Sequence, residues 1–414
     1  MDAGNAVDQK TFLGIRLSPG VRPWNLVGAL GLVTLSIVPL LLSATVMKSF
    51  LVQQCGVDPV VAARKATWVA VLYVLGYALG SPLFGYLSDR WGRRAVVLLG
   101  FLLAAPFHAL TGFLTTVEWV VAAQALVGLG QAGATSMLMF AAINYAHPDD
   151  RPKVVGLCGA AIGVGVSLSL PLGSNLFHSG HEMAAQLPFL GQAIVSVLCS
   201  GLALVFLKGG RISVRADGAT SQLGSFPFAS LVAPRMLVAY GTAFLLGGTG
   251  KIFGSVLKPW GLNAHLQAAG GIGMALLGAA FGFVALRFGP FRMLALGLLG
   301  LTASYFVMTF CNCPVGVTVA FLASAVFVGM IYPVPLAIAF SEVPDGWNGT
   351  SAGIHQGLRV LGELMFALLS EAMFLAWFPA TAKLAGLTFP LVVACFVALL
   401  AVAAWKATRT STAR

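Results

Sequence analysis

Apolar runs of about 20 residues or more recur along nearly the whole chain, separated by short polar breaks. Each run is long enough to cross the roughly 30 Å hydrocarbon core of a bilayer as a helix. The pattern predicts twelve spans, near residues 25–50, 66–88, 94–116, 118–146, 153–177, 186–207, 234–257, 263–287, 291–312, 314–341, 349–378 and 384–407. The longest polar gap, KGGRISVRADGATSQLGSFPF, lies between the sixth and the seventh. We therefore divide the chain into a tail (1–24), a six-helix half (25–207), a linker (208–233), a second six-helix half (234–407) and a short end (408–414). The apolar run after the tail is too long for the core of a cleaved leader, so it reads as a first span.

Composition agrees with this reading. Of 414 residues, 58% are hydrophobic and only 9% charged, against about 25% charged in a typical soluble domain. The net charge of +11 needs no nucleic-acid partner, because basic residues beside spans set orientation. With the N terminus inside, seventeen Lys and Arg fall in the tails and inner loops and five (Lys48, Arg64, Lys65, Lys258, Lys383) outside. Both termini are expected in the cytoplasm of a cell whose inner membrane holds the protein. The two halves also echo each other: Gly85, Arg90 and Gly92 recur as Gly282, Arg287 and Gly289, a shift of 197 residues. HPDDRPKVVG (147–156) is echoed by VPDGWNGTSAG (343–353), with Gly156 and Gly353 again 197 apart. Internal duplication of this kind is typical of transporters, whose substrate site lies near the midplane between repeats.

Four charges crowd the stretch GYLSDRWGRR at 85–94, between two apolar runs. Gly85 and Gly92 permit close backbone approach, as small residues do at helix contacts in lipid. Asp89, at the inner end of the second span, requires an opposing helix N-terminus or an Arg to offset its charge. The stretch resembles the G-x-x-x-D-R-x-G-R-R loop of the major facilitator superfamily, and the twelve-span layout, linker and degenerate copy at 282–292 match too. The resemblance implies an all-α membrane protein of two pseudo-symmetric six-helix bundles. It also implies that Gly85, Asp89, Arg90, Gly92 and Arg93 form a latch that holds the halves together when the cavity faces outward. Leu286 stands where the second half would repeat Asp89, so that copy lacks the full latch.

Charges inside spans are costly and mark function by default. Lys251 lies in the seventh span, and His355, Arg359 and Glu363 share one face of the eleventh at i, i+4 and i+8, with Gln356 alongside. Arg359 and Lys251 are expected to hold a polar or anionic group of a small-molecule substrate, and Glu363, with His355, to exchange a proton. Glu371 lies close to the outer surface. His108, Gln124 and Asn144 are candidate cavity-wall residues. Departures from the family pattern are Gln124 where proton-coupled members often carry Arg, and a first span without an acidic residue. The glycine–proline pattern of the fifth span is loose.

CNCP (311–314), three residues after Met308, has ligand types for a soft metal but reads as a helix end capped by a turn. HSGHE (178–182) lacks a Cys and a third spaced ligand, and no nucleophile elbow, P-loop or zinc-protease motif appears. No enzyme activity, metal or cofactor is expected, and no nucleotide drives the chain. The expectation is a monomeric secondary transporter exporting a small organic compound against protons. Uptake of an organic anion fits as well, and so does a transporter-like sensor or assembly factor without flux.

Overall fold

The computed structural model describes residues 11–43, 46–209, 228–257, 289–310 and 313–377, with parts of 272–288; for 249–257 and 366–377 it describes the backbone alone. The eighth predicted span is described only in part, and the twelfth lies outside the described residues, as do Leu286 and the linker between 210 and 227.

The first half comprises α1 (Pro23–Leu41), α2 (Met47–Cys55), α3 (Pro59–Trp91), α4 (Arg93–Phe113), α5 (Val117–Gln131), α6 (Met137–Ile143), α7 (Arg151–Phe177) and α8 (Leu187–Phe206). The second comprises α9 (Phe228–Leu231), α10 (Pro234–Leu257), α11 (Pro290–Phe310), α12 (Pro314–Ile331), α13 (Pro333–Ser341) and α14 (Asn348–Trp377). Predicted and observed span ends agree within a few residues, apart from the 66–88 span. There α3 starts seven residues earlier, because Asp58 caps it by accepting from the amides of Val60 and Val61 and Pro59 occupies its first turn.

Three predicted single spans are interrupted. The first breaks after Leu41, close behind the intrahelical Pro39, and resumes as α2. The tenth breaks at Tyr332, because Pro333 cannot continue the backbone ladder. The fourth joins α5 to α6 through a π-helical turn, Ala132–Ser136. Such wide turns rotate the residues on either side relative to one another. Here Gln131 is turned towards α4 and Ser136 towards α3.

The tail differs from the sequence reading. Residues 11–16 form a two-stranded antiparallel hairpin, β1 (Thr11–Phe12) and β2 (Ile15–Arg16), pairing Thr11 with Arg16 and Phe12 with Ile15. Leu13 and Gly14 both take positive φ (52° and 70°) in its two-residue loop, the geometry a tight hairpin demands. The chain then docks on the loop after α6. Ser18 N–H donates to the Tyr145 carbonyl and His147 N–H to that of Arg16, both at 2.8 Å. Asp150 accepts from the Arg16 amide at 2.9 Å and its Nε at 2.8 Å, and it pairs with Lys153 at 2.8 Å. That hydrogen bond and charge raise the pKa of the Arg16 guanidinium above its ordinary value. Ile15, Leu17 and Val21 are buried, so the segment is a strap rather than a free tail.

The core of the first half runs between α1, α7 and α8 on one side and α3, α4 and α5 on the other. Many of these helices meet backbone to backbone. An added Cβ would strike the Ala125 carbonyl from Gly76, and that of Tyr73 from Gly128, so α3 and α5 touch only because both positions lack one.

Candidate functional site

The two halves meet at one end of the molecule, the basic end that carries Arg16, Arg90, Arg93 and Arg94. There α3 packs along α14 and α7 against α13. The repeated glycines lie at both crossings. A Cβ at Gly85 would come within 3.1 Å of the Gly353 Cα, and one at Gly282 within 3.0 Å of the Gly156 Cα. Gly85 and Gly282 are one duplicated pair and Gly156 and Gly353 the other, so the sequence echo is a spatial two-fold relation. Gly92 and Gly289 share a backbone form too, with φ of 87° and 81°. A residue with a side chain rarely takes it.

Asp89 closes the first crossing. Its Oδ1 accepts from the Gly349 amide at 2.8 Å, and its Oδ2 from the Thr350 amide at 2.7 Å and the Thr350 hydroxyl at 2.8 Å. A carboxylate of one half thereby satisfies free N–H groups in the first turn of the long helix α14 of the other. Arg93 lies close enough to act electrostatically on Asp89. The Arg90 guanidinium lies 4.5 Å from the centroid of the Tyr86 ring, which in turn packs on Trp347. At the second crossing Phe140 meets Phe340 edge-on, with centroids 6.0 Å apart, and Lys153 lies 5.7 Å above Phe283.

Further into the molecule α14 carries Gln356, Arg359 and Glu363, and α10 presses against it. Gly247 abuts the Arg359 carbonyl and Gly362 that of Phe244. Arg359 Nε donates to Gln356 Oε1 at 3.1 Å, Gln356 Nε2 to the Tyr77 hydroxyl at 3.4 Å, and Tyr77 shares a 3.0 Å hydrogen bond with Ser136. This relay ties α14 to α3 and to the π-helical turn. Tyr73, Tyr77, Tyr332 and Glu363 all lie near Arg359. The tyrosines are functional candidates that sequence reasoning missed. The available signal was Tyr73 and Tyr77, one turn apart in an apolar helix.

His355 is buried next along the same helix, and neither ring nitrogen has a hydrogen-bond partner among the described residues. Lys251 and Glu371 belong to α10 and α14, and their side chains lie outside the described residues.

The candidate cavity-wall residues have their hydrogen-bond partners inside the first half. His108 is enclosed within the first half, where Nδ1 meets Gln192 Oε1 at 3.1 Å and Nε2 meets Gln131 Nε2 at 3.1 Å. Gln192 spends its amide protons on the Pro39 carbonyl and the Ser43 hydroxyl, each at 2.9 Å. The ring is therefore neutral with the proton on Nδ1, and the network links the end of α1 to α4, α5 and α8. Gln124 donates to Thr111, and Asn144 to the Phe140 carbonyl at the end of α6. All three are hydrogen-bonded within the half, as buried polar groups of apolar helices in lipid must be. Among the described residues no group of three or more His, Cys, Asp or Glu side chains is placed to hold a metal.

Paired halves, glycine crossings at one end and ionisable residues between them define a polytopic membrane carrier. The Major Facilitator Superfamily model matches residues 25–367, and the chain belongs to that superfamily of transporters. It is 26% identical to the class E tetracycline resistance protein of Escherichia coli over 329 residues, covering 74% of this chain and 78% of that one. It is 30% identical to the protein spinster of Drosophila melanogaster over 130 residues, 31% of this chain. The first relatives on that scale are matched over short stretches, 22% of spinster and 33% of the class H tetracycline resistance protein of Pasteurella multocida. Among solved structures, the human organic anion transporter MFSD10 superposes with a TM-score of 0.73 at 14% identity, covering 92% of this chain and 99% of that one. The transporter FucP in its outward conformation superposes with 0.70 at 16%, covering 92% and 97%. Both share the all-α fold.

Proposed function

We propose that the protein is a secondary active transporter that exports a small organic solute in exchange for protons, by alternating access between its halves. The observation that carries this reading is the pairing of Asp89 with the start of α14. It closes one end of the interface with bonds that can break and reform, while Arg359 and Glu363 lie on the same helix, further in. Seven described helices long and apolar enough to span a membrane, together with the basic residues gathered at the closed end, support cytoplasmic termini and an outward-facing state. A relative named for drug resistance over three quarters of the chain supports export, since a transporter confers resistance by removing the drug. In this reading Arg359, Gln356 and Lys251 bind the solute, and Glu363 with His355 carries the proton. The latch is formed by Gly85, Asp89, Gly92 and Arg93, with Arg90 bracing it through Tyr86. The monomer in the inner membrane is the working unit, with residues 208–233 as a cytoplasmic linker.

The test is flux in proteoliposomes. A pH gradient should drive accumulation by the natural protein, while Glu363→Gln should retain exchange and lose gradient-driven transport. Unchanged gradient-driven flux in that variant would remove Glu363 from coupling, and absence of any flux would favour the non-transporting sensor reading. Uptake of an organic anion is the second reading, favoured by the Arg359 guanidinium, of which only Nε is tied to Gln356.

A further inference from the structure

Hydrogen-bond donors gather around Arg359. The guanidinium is anchored by one edge only: Nε donates to Gln356, and among the described residues neither terminal nitrogen engages a hydrogen bond. The Tyr73 hydroxyl is buried with no partner among the described residues, and the charged groups that act on it are Glu363 and Arg359. The Tyr332 hydroxyl donates only to the Met139 sulfur, at 3.6 Å, a weak acceptor. Tyr77 is already engaged through Gln356 and Ser136. Four N–H groups of one guanidinium and two phenolic O–H groups thus lack a strong acceptor. A buried donor without an acceptor, as the Tyr73 hydroxyl is, is costly, and native interiors avoid it unless something else supplies the oxygen.

Resting on the transporter reading above, we infer that this site recognises an organic monocarboxylate with a flat apolar body. A carboxylate offers two oxygens in the plane and spacing that a guanidinium fork accepts bidentately. The relay Ser136–Tyr77–Gln356 fixes the plane of that fork before the ligand arrives, so less orientational entropy is lost on binding. Tyr73 supplies a third donor from the opposite half, so the ligand bridges α3 and α14. The charge count selects a single negative charge. Glu363 already acts on Arg359, so each negative charge on the ligand is only partly compensated and a dianion is disfavoured against a monoanion. The rings of Tyr73 and Tyr77, with centroids 6.4 Å apart, offer aromatic surface to the body of the ligand.

The test is binding to the purified full-length protein, by thermal shift and by titration, of matched probes: benzoate and 2-naphthoate, their primary amides, the corresponding amines, and phenyl phosphate. The acids should bind, and the amides, amines and phosphate should bind at least tenfold more weakly. Tyr73→Phe should weaken the acids about tenfold. Arg359→Lys, which keeps the charge and loses the fork, should weaken them more, with amide and amine binding unmoved in both. Equal binding of acid, amide and amine, no binding by either acid, or unchanged affinity in Tyr73→Phe and Arg359→Lys would each overturn the inference. Acid binding without flux would instead overturn transport and leave the ligand class standing.

Discussion

Replacing Asp89 by Asn probes the closed end with little change of shape. In the closed state the carboxylate accepts three hydrogen bonds from the first turn of α14; in the open state it is hydrated. Bonds to a charged group contribute about 1.5–3 kcal/mol each, net of hydration, and a charge at a helix N-terminus adds about 0.3–1 kcal/mol. Asparagine keeps one oxygen, which serves the Gly349 amide, and turns its NH2 towards the Thr350 amide. The Thr350 hydroxyl can reverse and accept from that NH2, so the loss is one charge-assisted bond, from the Thr350 amide, plus the charge–dipole contribution, about 3 kcal/mol. That is roughly a hundredfold in the closed-to-open ratio, since about 1.4 kcal/mol corresponds to a factor of ten. A reporter cysteine at Ser88 reads this ratio, because Ser88 is buried in the α3–α14 contact. In a background lacking the six native cysteines, Asp89→Asn should raise the maleimide labelling rate of Ser88→Cys at least tenfold. A change of less than twofold in folded protein would refute the claim that these bonds hold the end closed.

Gly85→Val should prevent closure by steric overlap with Gly349 and Gly353, giving the same rise in labelling without removing a charge. Gln192→Leu leaves the His108 ring, the Pro39 carbonyl and the Ser43 hydroxyl without their shared partner. At about 1 kcal/mol for each unsatisfied group it should cost about 3 kcal/mol, read as a lower unfolding midpoint in detergent. Asp150→Asn weakens both anchors of the strap, Arg16 and Lys153, and should speed tryptic cleavage after Arg16 severalfold while transport survives.

The spans were legible because a bilayer imposes length and apolarity on every crossing segment, and the 197-residue echo was legible because both crossings need glycine. The breaks after Leu41 and at Tyr332 were not, since Pro39 and Pro333 lie inside apolar runs that read as continuous. The hairpin at 11–16 was missed because two-residue strands leave no periodicity. Its stability comes from Asp150, 134 positions beyond Arg16. Asp89 was legible as a charge needing a helix N-terminus or an Arg, but which helix supplies it was not, since backbone N–H donors carry no residue signature. Arg359 and Glu363 were visible as charges in a span. Tyr73, Tyr77 and Tyr332 were not, because an aromatic residue in an apolar helix looks like core until the facing charge is located. His108 shows the reverse: a histidine in a span suggests chemistry, yet here its two nitrogens are consumed by packing.

The central claim is that the basic end opens and closes as the halves rock. Spin labels at 91 and 288, equivalent exposed positions at the ends of the second helix of each half, report the distance across that end. The account predicts a short population that gives way to a longer one in Asp89→Asn and under a proton gradient. A single distance, unmoved by the substitution and by the gradient, would contradict it.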